Sequence, residues 1–550
     1  MTKFKFRFNF WTAITLGIAI VLAVFLIYPM FSLLVSGFEN SKTGAFTFHN
    51  FIKFFQKKYY YRGLINSFMI SSCVTFLAVL IGAPLAYLIT AYKVKGKKLI
   101  DILIIISMLS PPFIGAYSWV ILCGRSGVIT KFFQALGIQL PSIYGFGGML
   151  LVLTLKLYPY IYLYVSGALK KVDESLIEAA ESLGCNPVKK VFTIILPLIA
   201  PTLLAGSLLV FMNAIEDFGT PMLIGEGFNV MPVMIYSEFI SEVGGEANFS
   251  AAMAIIMVLI TIFLFIGQNY IINKKSFAMS SLRPIKSVAF EGIKGILTHV
   301  AIYIVVFLAI IPQLTVVVTS FLETKGTRFL ASLSLDSYRS VFRTLWQSVT
   351  NTYIFGLIAI SIIVILGMFI AYISIRKKNL LTSVIDTVTM LPYILPGSVI
   401  GLTLLLAFNK KPMILSGTVM ILVIAYILRK LPYTLRSSAA ILYQISPSIE
   451  EASISLGCSP VKTFFRITAV MMLPGVLAGA IMSWISVINE LSASIILYTG
   501  STKTLSVAIY AEVIKSSYGT AAAISSILTI TTIISLLIFF KLTGSKSVSV

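Results

Sequence analysis

The stretch Glu178-Ala179-Ala180-Glu181-Ser182-Leu183-Gly184-Cys185-Asn186-Pro187-Val188-Lys189 runs on to Ile194-Ile195-Leu196-Pro197. It recurs downstream as Glu451-Ala452-Ser453-Ile454-Ser455-Leu456-Gly457-Cys458-Ser459-Pro460-Val461-Lys462, which runs on to Ile467. Both are polar islands between long apolar runs, so each reads as a water-exposed loop of a membrane protein. One copy alone would pass for a solvated amphipathic loop; two copies at matching places mark a repeated device. In each, good helix formers end at a glycine suited to the left-handed conformation that stops a helix, and Pro187 or Pro460 restarts one at its first turn. The expected form is a stiff helix–turn–helix over 173–190 and again over 446–463, with Glu178 and Glu181 offering charge to a partner.

The composition around these loops excludes an ordinary soluble protein. Hydrophobic residues make up 58% and charged residues 11% of the 550, with a mean hydropathy of +0.97, against roughly 25% charged in soluble domains. Apolar runs long enough to cross a bilayer, at roughly 20 residues each, fall near 10–36, 63–92, 100–123, 146–169, 193–218, 248–272, 296–320, 347–375, 380–408, 416–436, 468–495 and 520–541. Lipid requires every backbone group to be satisfied internally, so these runs are expected as helices. They lack the alternation of barrel strands. The first run follows Lys3, Lys5 and Arg7 as a signal peptide would, but it is too long and has no small-residue cleavage site, so a retained span is expected.

A net charge of +22 would suggest nucleic acid were it not for its placement. Basic residues cluster at Lys93–Lys98, Lys170–Lys190, Lys274–Lys294, Arg376–Lys378 and Arg429–Arg466. With both termini inside, these are the cytoplasmic turns of a positive-inside topology, and both repeated loops are cytoplasmic. Anionic lipid, and no nucleic acid, is the expected partner of this charge. The four cysteines are scattered, giving neither a disulfide framework nor a thiolate metal site, and His49 and His299 have no ligand partner nearby in sequence.

The repetition extends beyond the loops. Asn66-Ser67, Gly82 and Ala86-Tyr87 answer Asn351-Thr352, Gly367 and Ala371-Tyr372. Met108-Leu109-Ser110-Pro111-Pro112 answers Met390-Leu391-Pro392, with Pro396-Gly397 close behind. Asn213 to Thr220 answers Ser486 to Ala493, and Pro232 to Ile240 answers Ser506 to Ile514. The expected fold is an all-α integral membrane protein of about twelve transmembrane helices. They form two parallel six-helix repeats, 1–280 and 281–550, related by an axis along the membrane normal, with a solute pathway between them. The prolines of 111–112, 392 and 396 would break their spans and free backbone groups for a pathway or gate, or kink them for packing.

The spacing Glu178-Ala179-Ala180, three residues, Gly184, nine residues, Ile194-x-Leu196-Pro197 resembles the signature of binding-protein-dependent ABC transporter permeases. The resemblance covers essentially the whole chain in two copies. It implies coupling helices carrying Glu178, Ala179, Ala180, Gly184 and Pro187, and Glu451, Ala452, Gly457 and Pro460, seated on two copies of an ABC ATPase subunit. It also implies an extracytoplasmic solute-binding protein and residence in a bacterial inner membrane. The second copy departs from the pattern: Ser453 replaces an alanine, and Leu473-Pro474 comes about one helical turn late. No G-x-x-x-x-G-K-[ST] occurs, since Gly96-Lys97 lacks the earlier glycine. ATP and its magnesium therefore belong on the partner, and this chain is expected to be neither an enzyme nor a cofactor binder. A gradient-driven secondary transporter would share the hydropathy but have no use for the loops.

For the cargo, carboxylates at membrane depth are costly and usually functional. Glu216, Asp217 and Glu490 sit toward the ends of spans, with Asn489 and Ser492 beside the last. Tyr236 and Glu238, like Tyr510 and Glu512, lie on short segments just beyond. Together they are expected to form an acidic, oxygen-rich mouth, with Glu216, Asp217 and Glu490 as transient ligands of a hard cation. The alternative is that they meet water at helix ends, or are internal hydrogen-bond partners holding the permease shut. The Asn489-Glu490-Leu491-Ser492-x-Ser494 and Ile-Tyr-x-Glu patterns resemble ferric-iron importer permeases most, with thiamine and aminoethylphosphonate importers as the nearest relatives of similar build.

Overall fold

The computed structural model describes residues 9–41, 43–108, 111, 113–241, 246–274, 287–289, 292–326 and 328–543. Lys3, Lys5, Arg7, Leu109, Ser110 and Pro112, and residues 275–286 of the Lys274–Lys294 cluster, lie outside the described residues.

Nearly all the apolar runs are helices. Among the described residues nine are long and apolar enough to cross a membrane: Phe10–Gly37, Lys58–Ala91, Phe146–Leu169, Val188–Glu216, Ala247–Gly267, Gly295–Ser320, Trp346–Arg376, Pro460–Ile488 and Tyr518–Phe539. A tenth is a pair, Leu380–Ile394 and Gly397–Ala407, bent by 113°. Pro396 sits at the bend, where it caps the second helix. The two remaining expected spans differ for visible reasons. Residues 100–123 are divided between Lys97–Met108 and Ile114–Cys123, with Phe113 in left-handed backbone geometry between them. The run at 416–436 is part of a long helix, Val419–Gln444, that carries Arg429, Lys430 and Arg436 and so is not apolar along its length. A short antiparallel hairpin, Leu322–Lys325 with Arg328–Leu333, is the one departure from helix among the described elements.

The two repeats fold alike. In the first, Lys58–Ala91, Phe146–Leu169 and Leu196–Glu216 pack on one another; in the second, Trp346–Arg376, Val419–Gln444 and Ala469–Ile488 do the same. The repeated glycines lie at these crossings. A Cβ on Gly82 would stand 2.7 Å from the Tyr158 carbonyl oxygen, and one on Gly367 would stand 3.1 Å from Thr434 Cγ2, so the small residue sets how closely the helices approach.

The first helix of each repeat packs on the last helix of its own repeat and also reaches onto the other. Phe10–Gly37 packs on Trp346–Arg376, Leu380–Ile394 and Gly397–Ala407, whereas Gly292–Ser320 packs on Lys97–Met108 and Ile114–Cys123. Trp11 consequently lies against Tyr372 and Phe464, ring centroids 4.5 and 5.1 Å away. Burial of such large aromatic surfaces, each of roughly 150–250 Å2, ties the halves together while leaving the three-helix units as separate blocks.

Candidate functional site

Both repeated loops are helix–turn–helix units. Asp173 accepts from the Ser175 N–H and starts Glu174–Ser182, and Ser446 accepts from Ser448 and starts Pro447–Ser455. Gly184 (φ 78°) and Gly457 (φ 88°) take the left-handed conformation. Gly184 N–H donates to the Glu181 carbonyl and Cys185 N–H to that of Ala180, at 2.9 and 3.0 Å; Gly457 and Cys458 repeat this with Ile454 and Ser453 at 2.9 and 3.1 Å. This double closure satisfies the last carbonyls of each helix. Asn186 and Ser459 then cap the restarts at Pro187 and Pro460.

Directly after each restart comes a wide π-helical turn, Val191–Ile195 in one copy and Phe464–Thr468 in the other. Such turns recur at functional sites. Here they join each loop to the long core helix behind it. The different placing of the later prolines leaves this feature unchanged.

Glu178 and Ala179, like Glu451 and Ala452, face out, whereas Ala180 and Ser453 are buried. The serine that departs from the alanine pattern bonds the Thr463 hydroxyl at 2.9 Å, so its polarity is satisfied. Leu183 and Leu456, at equivalent tips, are 85% and 86% exposed. The sequence motif does not single out these two leucines, whose exposure is matched by that of Leu333 and Leu380. The second loop is tied to the end of the Trp346–Arg376 helix by Arg376, whose Nε donates to Glu450 at 3.2 Å and whose Nη2 donates to the Ile445 carbonyl at 2.6 Å. Tyr372 adds a bond to Glu450 at 3.0 Å. In the first repeat Ile177 stands at the position of Glu450 and Ala91 at that of Arg376. There Glu181 pairs instead with Lys190, inside the loop itself.

Between the three-helix blocks lies a cavity of about 430 Å3 lined from both repeats. Glu216, Asp217, Asn489, Glu490 and Ser492 all line it. So do Pro392 and Tyr393 of the bent pair, and Tyr160, Tyr164 and Tyr433. Three cations also line it: Lys156, Arg429 and Lys430. Asp217 pairs with Lys156, Glu490 with Arg429 and with Lys430 at 2.8 Å, and Glu216 with Arg429 at 3.6 Å. In place of the acidic mouth expected from sequence, the cavity balances three carboxylates with three cations. Among the described residues no three of His, Cys, Asp and Glu converge as they would to hold a metal.

The other expected mouth residues lie apart from this lining. Glu238 accepts from the Tyr60 hydroxyl at 3.2 Å, and Glu512 pairs with Lys515 at 3.3 Å. Tyr236 packs on Phe218 and Tyr510 on Phe113, centroids 5.1 and 5.4 Å apart. Arg429 and Lys430, expected at a turn, are instead well inside the Val419–Gln444 helix, where distant carboxylates neutralise them. Their signal was present in the sequence: Lys156-x-x-Pro159-Tyr160 and Arg429-x-x-Pro432-Tyr433 stand at the spacing that separates the two repeated loops.

Comparison with known proteins agrees with the doubled architecture. The family described as binding-protein-dependent transport system inner membrane component matches residues 58–277 and 363–543. The ferric transport system permease protein FbpB of Actinobacillus pleuropneumoniae is 28% identical over 538 residues, 96% of this chain and 77% of that protein. A putative ferric transport system permease of Haemophilus influenzae is 28% identical over 508 residues, 90% of this chain and 79% of that one. A putative 2-aminoethylphosphonate transport system permease of Salmonella typhimurium is 25% identical over 251 residues, 45% of this chain and 87% of its own. Among solved structures, a bacterial ABC transporter that imports alginate aligns at TM-score 0.40 and 19% identity, covering 48% of this chain and 95% of that one. With the family matched in two blocks that take in most of its length, the chain belongs to the binding-protein-dependent transport system inner membrane components, as a two-copy fused ABC importer permease.

Proposed function

We propose that this permease carries ferric iron from a solute-binding protein through the cavity between its halves, driven by two copies of a separate ATPase. The observation that carries the reading is the likeness to ferric transport permeases along nearly the whole chain. The oxygen-rich lining supports it: Glu216, Asp217, Glu490, the tyrosine phenols, Asn489 and Ser492 are the donor types a hard cation prefers. The loops at 173–190 and 446–463 face the cytoplasm with both termini and hold the ATPases through Glu178, Glu451 and the exposed Leu183 and Leu456. Closure of the ATPases pushes the loops, and the π-turns pass the push to the core helices that end at Glu216 and Asn489. Shifting the halves from 1:99 to 99:1 needs about 5.5 kcal/mol of differential binding, which only stiff loops can transmit.

A second reading, import of an aminophosphonate, is favoured by Lys156, Arg429 and Lys430 in the same cavity, since phosphonate oxygens are natural partners of such cations. Uptake by the complex reconstituted with ATPase and binding protein separates the two. ATP-dependent entry of ferric iron, not competed by aminoethylphosphonate or thiamine, is expected. Aminoethylphosphonate entry that iron does not compete would overturn the cargo assignment. The coupling assignment is tested by Glu178→Lys with Glu451→Lys, which should abolish ATPase association while the chain stays inserted in the membrane.

A further inference from the structure

Asp217 and Glu490 occupy equivalent positions in the repeats and do the same two things. Each accepts from the backbone N–H three residues on, Thr220 at 2.8 Å and Ala493 at 3.2 Å, fixing the short helix that follows. Each also pairs with a cation of its own repeat, Lys156 or Arg429, and these two cations are themselves equivalent. Such duplicated pairs are internal counter-charges of each half.

Glu216 fits neither pattern. Its counterpart in the second repeat is Asn489. Its cation, Arg429, belongs to the other half and stands 3.6 Å away. Its side chain keeps 23% of its exposure, against 3% for Glu490. Two polar atoms of the same lining, Arg429 Nε and Asn489 Oδ1, are buried without a hydrogen-bond partner. Withdrawing Asp217 or Glu490 would strand a half-buried or buried cation, which is strongly unfavourable. Withdrawing Glu216 strands nothing, because Arg429 keeps Glu490.

We propose that Glu216 is the exchangeable carboxylate of the cavity. It bridges to Arg429 across the halves when the cavity is empty, and a cationic cargo, or the cationic group of a larger cargo, takes it over. Entry of cargo therefore breaks the bridge and frees the halves to separate, so hydrolysis is held back until cargo arrives. This rests on the importer reading but not on which cargo is carried.

The test is ATP hydrolysis by the permease–ATPase complex in proteoliposomes, with and without loaded binding protein. Glu216→Gln is expected to raise hydrolysis in the absence of cargo several-fold and to lose most stimulation by the loaded binding protein. Glu216→Asp, which keeps the charge, should restore low unstimulated hydrolysis. Glu226→Gln, which breaks an exposed pair with Arg125 outside the cavity lining, should leave that rate unchanged. Wild-type behaviour in Glu216→Gln, or an equal rise in Glu216→Asp, would overturn the proposal. So would failure of Glu216→Gln to assemble, because that would class Glu216 with the structural pairs. If the wild-type chain recruits no ATPase, the importer reading itself fails, and that outcome is visible before any variant is made.

Discussion

Replacing Glu490 by glutamine removes one charge and little else. The amide oxygen can still accept from Ala493, so the cap on the following helix survives. What disappears is the partner of Lys430 at 2.8 Å and the close partner of Arg429, which is left with Glu216 at 3.6 Å. Both cations are largely buried. Breaking a buried pair from one side costs about 3–5 kcal/mol. Asp217→Asn strands Lys156, whose side chain is 30% exposed, so its cost should fall below the roughly 3–5 kcal/mol of a buried pair. Glu216→Gln, at the long and partly exposed contact, should cost only about 0.5–1 kcal/mol. Thermal melting of the purified chain in one detergent should therefore rank the losses as Glu490→Gln, then Asp217→Asn, then Glu216→Gln. Adding Lys430→Met to Glu490→Gln removes the stranded cation and should recover a substantial part of the loss, a non-additivity expected of neighbours. If Glu490→Gln melts with the wild type, or Glu216→Gln loses more, the division into internal counter-charges and an exchangeable acid is wrong.

Three further outcomes are expected. Arg376→Ala should free the second loop at a local cost of about 2–3 kcal/mol, the range of a hydrogen bond to a charged group, and speed hydrogen exchange over residues 447–463 while leaving 174–190 unchanged. Leu183→Asp with Leu456→Asp should weaken capture of the ATPase without lowering the melting temperature, because both side chains already face water; normal capture would remove these leucines from the docking surface. Gly82→Val must displace the Phe146–Leu169 helix, since even a Cβ would sit 2.7 Å from a backbone oxygen, and should cost at least the roughly 1–3 kcal/mol of core overpacking, read as lost yield of folded chain.

Local features carried further in the sequence than distant ones. The loop helices, their glycine stops and their proline restarts were legible because capping and turn chemistry act within a few residues. The repeats were legible because one ancestral pattern is spelled twice. Arg429 and Lys430 were misplaced because a charge near the end of an apolar run reads the same whether it meets water or a carboxylate about 60 residues away. That distinction belongs to helix packing. The break at 100–123 has a related cause: composition measures apolarity, whereas backbone geometry at Phe113 decides whether two helices share an axis. The clamp from Arg376 to Glu450 was invisible for a different reason, since it exists in one repeat alone and a search for likeness discards it.

Those unlike positions explain why fusing two copies matters. Were the halves identical, a glutamate at position 216 would have another at 489 in the same cavity, adding a fourth carboxylate to the lining. With Asn489 in place of the second acid, and Lys430 where the first repeat has Leu157, the extra acid lies on one half and the extra cation on the other. The duplicated pairs then stay within their halves, Lys430 joins Glu490 on its own half, and Glu216 is the acid that reaches across, to Arg429. A single contact across the pathway can be broken by one bound cation, whereas two symmetric contacts would require two. Two copies on one chain can diverge in this way, each keeping its lever while together they build one asymmetric site.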